Sequence, residues 1–562
     1  MIGAPARARV RHCDRVLARA ALASCLAVYV ATFSGLSDNP DGEVSFQTTS
    51  ALWREHGFAL AGTPEADGIA ALVRSGAPDA PPARRGGPGR EEDVFGSPGI
   101  GQALAALPLY AAGRAAALAA GGVEERHSRT SRRGLGQSEY FAHLFVGLRN
   151  PLLSALTALL VVLAARRLGV ERRAAFLAGL SYGLTTFAWA QARSWLSDVQ
   201  ATFCLFAAFH SLLKLQEQRA RGPARPLTLL AFGLALGWAG LTRLSVAPAV
   251  VALDLAAARV LWARRGSARS LALVALPQLA CLAALLVLDH LRFGSVWETG
   301  YGAPLPGLFG GSPWTALAGL LAAPGKGLVW MAPAVLLFAF GLARPRRGVE
   351  RLWLFCTLAV FLAILLPAAA LRGWHGAWTY GPRYLLPALP FVWLGVARAL
   401  ERARERPGLR RLATGLLVLG LLVQVPSALV DTMTFHDLAV RAAPARWTAP
   451  LELPAAEREA RLFERIQLDW GFAAPWAHWR ILRRRVAVGD EVFPVREIFF
   501  VDSDEVLEPT WERERGWNHL AWIDLARRLS GPTWPGVVLA VALAGLGLVL
   551  ALRALDPGAA RR

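Results

Sequence analysis

Cysteine is too scarce and too scattered in this chain to staple it together or to bind a metal. Cys13, Cys25, Cys204, Cys281 and Cys356 lie at the N-terminus or inside apolar segments, with no CxxC pair and no metal-ligand spacing. That excludes a disulfide framework and a cysteine-based zinc site. Nucleic-acid motifs are missing too. A formal charge of +20 would ordinarily raise a polyanion as partner, but the arginines collect in short clusters between apolar runs, so no nucleic-acid partner is expected. The basic start, Arg7, Arg9, Arg11, Arg15 and Arg19, leads into an apolar run with no small-x-small cleavage site. A retained anchor is expected there, not a cleaved signal peptide.

What is abundant is apolar sequence: 54% of the 562 residues are hydrophobic and the mean hydropathy is +0.37. Repeated apolar runs have the length that crosses roughly 30 Å of hydrocarbon. Spans are expected near 16–36, 141–165, 174–191, 197–214, 227–241, 246–263, 270–289, 327–343, 352–371, 384–400, 412–430 and 533–553, about twelve crossings in an all-α integral membrane protein. Every second short loop is basic, among them Arg166/Arg167/Arg172/Arg173, Lys214/Arg219/Arg221/Arg225, Arg264/Arg265/Arg269, Arg344/Arg346/Arg347/Arg351 and Arg402/Arg404/Arg406/Arg410/Arg411. The positive-inside rule then puts both termini in the cytoplasm. A further run, 99–122, is Ala/Gly-rich, carries Pro108 and Arg114, and is followed by Arg126, Arg129, Arg132 and Arg133. It reads as an interfacial or re-entrant helix pair on the outer surface.

The domain reading follows: 1–430 forms a membrane module whose outer loop is 37–139, 431–532 is an extracytoplasmic segment, and 533–562 is a last span with a cytoplasmic tail. Within the first loop, residues 63–90 are rich in Ala, Pro, Gly and Arg and read as a flexible surface loop. The second segment holds Trp447, Trp470, Trp476, Trp479, Trp511, Trp517 and Trp522. It is long enough for a small folded domain, and its rings suit a membrane-hugging cap or a sugar-stacking surface. An alternating stretch around 492–501 reads as a short strand.

Polar residues gather at the outer ends of these spans. Asp38, Asp41 and Glu43 follow the first; Arg193 and Asp198 bracket the turn between the third and fourth; Arg243 follows the fifth. Glu298, Tyr301, Lys326, His375, Tyr380 and Arg383 come after. Carboxylates at the edge of a bilayer are costly to keep. A carboxylate that takes a proton from a hydroxyl, beside cations that hold phosphate oxygens and stabilise charge on a departing phosphate, suits a lipid-phosphate substrate. Each residue also has a plain role open to it: an Arg at a span end snorkels to the interface, and Asp198 is a fitting N-cap.

The order of motifs resembles bacterial membrane glycosyltransferases of the GT-C superfamily, which includes protein O-mannosyltransferases and the aminoarabinose transferases of lipid A. The likeness runs over residues 10–430. It rests on Asp41-Gly42-Glu43, on 95–102 leading into Leu107-Pro108-Leu109-Tyr110, on Asn150-Pro151, and on 192–198 ending at Asp198. Leu241-Thr242-Arg243, Phe293-Gly294-Ser295, Thr299-Gly300-Tyr301, Pro324-Gly325-Lys326-Gly327 and the 380–387 stretch around Arg383 complete it. The resemblance implies a GT-C-like bundle that moves a sugar from a polyprenyl-phosphate donor to a lipid, a cell-envelope glycan or a protein outside the bacterial inner membrane. By the same likeness Asp41 is the base with Glu43 beside it, Asp198 is a second acid, and Arg243, Lys326 and Arg383 hold the donor phosphate. Asp38, Arg193, Glu298, Tyr301, His375 and Tyr380 would line the substrate. Here Asp-Gly-Glu replaces the adjacent Asp-Glu of the O-mannosyltransferases, which leaves open which carboxylate is the base. The oligosaccharyltransferase Trp-Trp-Asp signature is missing, so transfer to asparagine is not expected.

No cofactor is certain. Mg or Mn bound by Asp41 and Asp198 is left open, with metal-independent transfer preferred because Arg and Lys alone can neutralise a lipid monophosphate. The competing readings are a transporter or flippase of lipid-linked sugars, which would place its ionisable groups nearer mid-bilayer, and a non-catalytic protein of the same fold.

Overall fold

A computed structural model describes residues 4–35, 39–54, 57–75, 82–120, 139–262, 267–301, 309–342, 348–447, 455–488, 492–509 and 520–555. Asp38, Arg126, Arg129, Arg132, Arg133, Arg264, Arg265, Arg344, Arg346, Arg347, Trp511 and Trp517 lie outside them. Among the described residues the structure is helical, with only two short antiparallel pairs, Ala83–Arg85 on Val94–Gly96 and Phe493–Pro494 on Val506–Leu507.

Among the described residues, seven helices are long and apolar enough to cross a membrane: Tyr140–Arg167, Leu244–Trp262, Ala268–Phe293, Gly348–Ala370, Arg383–Arg402, Pro407–Leu429 and Trp534–Leu555. The protein is a multi-pass membrane protein. Two of these, Ala268–Phe293 and Trp534–Leu555, are scarcely covered by the rest of the chain. Leu276, Leu279, Leu282, Leu548 and Leu552 stand exposed on them, as suits side chains solvated by lipid tails. The other five expected spans are helical but short, interrupted or more polar. The 327–343 segment breaks into Leu328–Met331, the 3-10 turn Pro333–Leu337 and Phe338–Gly341, because Pro333 has no N–H to continue the first turn. The 99–122 run is one continuous helix, Ile100–Ala119, not a pair.

The long loop after the first apolar run is more ordered than its composition suggests. Thr63 caps the helix Pro64–Arg74 by accepting from the Ala66 N–H at 3.0 Å, and Pro64 supplies the preset φ of a first helical residue. Ile69, Leu60, Val44 and Val94 close a small core beneath it. So 63–90 carries a helix and the first strand of a hairpin. That hairpin is tied to the 292–301 loop by Gly87 N–H to Arg292 O (3.0 Å), Ser97 Oγ to Gly300 O (2.8 Å) and Arg84 to Glu298 (2.9 Å). Deeper in, Glu139 accepts from Arg54 (2.7 Å), Arg114 (3.1 Å), the Tyr110 hydroxyl (2.6 Å) and Ser50 (2.9 Å). A buried carboxylate is kept only with such partners, and this one binds Pro40–Trp53 to Ile100–Ala119 at the foot of the next helix.

The long segment 431–532 folds, in its described residues, into helices Thr432–Ala442, Ala455–Leu468, Ala474–Val488 and Ala521–Ser530. The expected strand near 492–501 is shorter than its alternation suggested: Phe493–Pro494 pairs, and Val495–Ile498 turns helical. Indole N–H groups fasten this segment to the spans, Trp479 to Leu422 O (2.8 Å) and Trp522 to Val30 O (2.6 Å).

Candidate active site

Four helix ends meet at one place. The helix Pro40–Trp53 starts at Asn39, whose side chain accepts from the Gly42 N–H at 2.7 Å, and holds Asp41 and Glu43 in its first turn, where the helix dipole favours negative charge. Asp198 opens the helix Asp198–Arg219, Arg243 follows the helix Pro226–Thr242, and Arg383 opens a 3-10 turn that runs into Leu389–Arg402.

Arg383 Nη1 reaches Asp41 Oδ2 at 3.4 Å, and Arg243 Nη1 reaches Asp198 Oδ2 at 3.1 Å. Between the two pairs stands Tyr384, with the guanidinium of Arg243 5.6 Å and that of Arg383 5.1 Å from its ring centroid. Cations over an aromatic face are held by the ring quadrupole, so Tyr384 fixes two arginines beside each other without neutralising either. Arg243 is further steadied by Ser245 Oγ (2.9 Å) and Ser197 Oγ (3.2 Å). Tyr301 lies within the field of Asp41, Arg243, Arg383 and Tyr384.

The two acids are differently placed. The Asp198 side chain is fully buried, whereas that of Asp41 is 39% exposed. Asp198 Oδ1 and Arg383 Nε are buried without a hydrogen-bond partner among the described residues, an arrangement that costs about 1–3 kcal/mol per group and marks a place built for something other than stability. Glu43 is directed elsewhere. Residues two apart on a helix face nearly opposite sides, and Glu43 accepts from Gln47 Nε2 (2.7 Å) and faces His143 Nε2 (3.4 Å), whose ring is stacked on Phe46.

Lys326 makes up, with Lys214, the chain's whole complement of lysine. Its ammonium is buried and donates to Ala377 O (2.8 Å), to Thr379 O and to Thr379 Oγ1 (3.2 Å). Its hydrogen bonds are thus committed to the loop before Arg383, and what it lends the site is the position of that loop. Burial, then the neighbouring Arg383, pushes its pKa well below the usual lysine value. The loop it grips is tightly wound: Gly376 has φ +69° and lies where a Cβ would sit 2.8 Å from the Arg383 side chain, and Ala377 is the one non-glycine among the described residues with positive φ. Such strain persists where surrounding contacts enforce it. Trp374 Nε1 donates to Glu464 Oε1 (2.9 Å) and Gly325 N–H to Gln467 O (3.0 Å), so the helix Ala455–Leu468 clamps both cation-bearing loops.

Several residues expected to line the substrate do other work. The Tyr380 hydroxyl is buried and donates to Val423 O at 2.8 Å; Arg193 donates to Ser427 O at 2.7 Å; Glu298 bridges to Arg84. His375 Nδ1 accepts from the Ala377 N–H at 3.2 Å and packs on Phe463. These four belong to walls and loop supports, because polar groups buried beside backbone must be matched locally. Tyr380→Phe should therefore lower stability by about 1 kcal/mol and leave transfer unchanged; a loss of transfer greater than that of stability would return its hydroxyl to the site. Tyr384 is the functional candidate that residue-by-residue reading passed over, although it directly follows Arg383 in the quoted motif. Glu139 was equally findable, as an acid one residue before a span.

Behind this loop three histidines cluster. Burial, then Lys326 and Arg383, brings His375 down to about 3; burial brings His478 down to about 4; His436 is lowered well below 6.5, again chiefly by burial. A histidine with an ordinary value of 6.5 and a lower one when folded binds its proton better in the unfolded chain, so its share of stability is full above 6.5 and declines as pH falls through the folded value. Melting in nanodiscs should thus drop in temperature from pH 6.5 towards 4, and His478→Gln should flatten that slope. A slope unchanged in the variant would contradict the assignment.

With this geometry in view, the comparisons with known proteins are informative. Residues 133–296 match the family of the Dolichyl-phosphate-mannose-protein mannosyltransferases. The match meets the GT-C resemblance read from the motifs; it includes Arg193, Asp198 and Arg243 and excludes Asp41, Lys326 and Arg383. No curated protein matches the chain at a significant level. Among solved structures, the chain is similar to ArnT from Cupriavidus metallidurans bound to undecaprenyl phosphate, at 14% identity and a TM-score of 0.46 over 95% of this chain and 76% of that one. It is also similar to the oligosaccharyltransferase of Archaeoglobus fulgidus, at 12% identity and a TM-score of 0.36 over 81% and 59%.

A divalent cation fits poorly between the two acids. Asp41 and Asp198 each lean on a guanidinium, and among the described residues no group of three or more His, Cys, Asp or Glu side chains converges to hold a metal. Hard cations such as Mg or Mn need several oxygen donors, more than Asp41 and Asp198 offer while each is paired with an arginine.

Proposed function

We propose that the protein is a glycosyltransferase that moves a sugar from a polyprenyl-phosphate donor to a hydroxyl of an acceptor on the extracytoplasmic face of a bacterial inner membrane. The observation that carries this reading is the Asp41–Arg383–Tyr384–Arg243–Asp198 constellation: two arginines held side by side, each with one acid, where helix ends meet. Arg383 and Arg243 bind the donor phosphate, their forks suited to its oxygens, and Lys326 holds the loop that leads into Arg383. Asp41, the more exposed acid, accepts the proton of the acceptor hydroxyl. The acceptor oxygen then bonds to the anomeric carbon as the bond from that carbon to the phosphate oxygen breaks, and the electron pair leaves with the lipid phosphate, where the arginines stabilise it. Asp198 keeps Arg243 aimed; Glu43 acts from outside the reacting groups.

The basic loops support this placement of the site opposite the cytoplasm. A flippase would gather its charges near the bilayer midplane, whereas these stand at helix ends. The test is to incubate the purified protein with a panel of polyprenyl-phosphate sugars and candidate acceptors (a lipid, an envelope glycan and a protein) and to measure released lipid phosphate by mass spectrometry. Release from no donor in the panel would rule the reading out.

A further inference from the structure

A concavity formed by residues of the 446–500 stretch takes no part in the proposed transfer. Arg446, Leu468, Asp469, Trp470, Trp476 and Phe500 line a pocket of about 480 Å³, within the roughly 300–1,000 Å³ span of small-molecule sites. Its rings are unusually open: Trp470 and Trp476 are each 54% exposed and Phe500 is 58% exposed. Its polar part is built. Asp469 holds Arg446 at 3.1 Å and accepts from the Gly471 N–H at 2.5 Å, while Arg446 Nη1 donates to Phe500 O at 2.8 Å. Gly471 leaves that corner clear, since a Cβ there would come within 2.9 Å of both Arg446 Nη1 and Asp469 Oδ1. The rings are braced from behind, Trp470 edge-on against Trp330 at 4.9 Å and Phe500 under the Arg480 guanidinium at 3.8 Å.

We propose that this pocket binds a pyranose unit of a glycan chain, a reading that rests on the glycosyltransferase function and assigns its acceptor class. A sugar ring has an apolar C–H face and a rim of hydroxyls, and an indole presents a flat amphipathic surface to such a face. A carboxylate with lone pairs to spare and a guanidinium beside it match adjacent hydroxyls by charge-assisted hydrogen bonds. Rings that serve only as interfacial anchors sit at headgroup level with apolar bodies towards lipid, and an ion pair at the base of the group would gain nothing from hydrocarbon. Leu468 on the pocket wall neighbours Gln467, whose carbonyl receives the Gly325 N–H at 3.0 Å, so the pocket adjoins the loop that carries Lys326.

The test is saturation-transfer NMR of the full chain in nanodiscs with cellohexaose, maltohexaose and chitohexaose, and no glycoside detergent. Transfer to ring C–H protons of at least one probe is expected, with affinity lowered tenfold or more in Trp476→Ala and in Asp469→Asn and unchanged in Trp314→Ala. Trp476→Ala alters an exposed ring and serves if Asp469→Asn does not fold. Silence with all three probes, or binding indifferent to Trp476→Ala, overturns the proposal. So does quenching of these tryptophans by brominated lipids without sugar binding, which would make them a membrane belt. The binding needs no turnover, so its failure is distinct from a failure to release lipid phosphate.

Discussion

Asp41→Asn is expected to lower sugar transfer by roughly 10²–10⁴-fold, the contribution of a positioned general base, with expression, melting temperature and polyprenyl-phosphate binding near wild type. The substitution keeps shape while removing the negative charge and turning one acceptor oxygen into an NH2 donor, so the side chain can no longer take the proton. Asp41 is half-exposed and its contact with Arg383 is 3.4 Å, so the fold does not lean on it as it leans on Glu139. Glu43→Gln is the matched comparison. Glu43 has the same charge and the same helix turn but faces Gln47 and His143, so it should cost much less. If Asp41→Asn transfers at near-normal rate while Glu43→Gln does not, the base is the wrong one of the pair, and the contact with Arg383 is an anchor only.

Arg383→Lys should reduce kcat/KM for the donor by roughly 10²–10³-fold, as removal of a preorganised donor to a developing anion does. Charge is retained in this variant. What is lost is the planar fork and the stack on Tyr384 at 5.1 Å, which an ammonium on a flexible stem does not reproduce. Steady-state kinetics alongside thermal melting separate the two contributions: a fall in kcat/KM with melting preserved supports donor-phosphate binding, and kinetics unchanged within threefold would remove Arg383 from that role. Tyr384→Leu offers an independent check, because it frees both arginines while touching neither charge.

Much of the molecule could be read before any coordinates. Apolar length and arginine placement announced the membrane helices, since a span must be about twenty residues of mostly apolar sequence wherever it occurs. The acids and cations at span ends were visible for the same reason: polar residues beside such runs stand out. The first outer loop was less legible. Thr63-Pro64 is a cap followed by a first-turn proline, a signal of local chemistry hidden within a stretch whose overall composition is that of a linker. Lys326 and Tyr380 illustrate another limit, because a residue's type and place in a motif are silent on whether its polar atom faces a cavity or a neighbouring carbonyl.

Sequence alone determined that the chain lies in a membrane, which residues carry charge at the ends of its apolar runs, and which family pattern they follow. These are one-dimensional properties, set by hydropathy and order along the chain. Only the tertiary structure decided that Asp41 and Arg383, more than three hundred residues apart, share a contact, that Glu43 turns to the other side of its helix, and that Tyr384 joins two arginines. Helix phase and the crossing of distant segments fix such pairings, and neither is written at any single position.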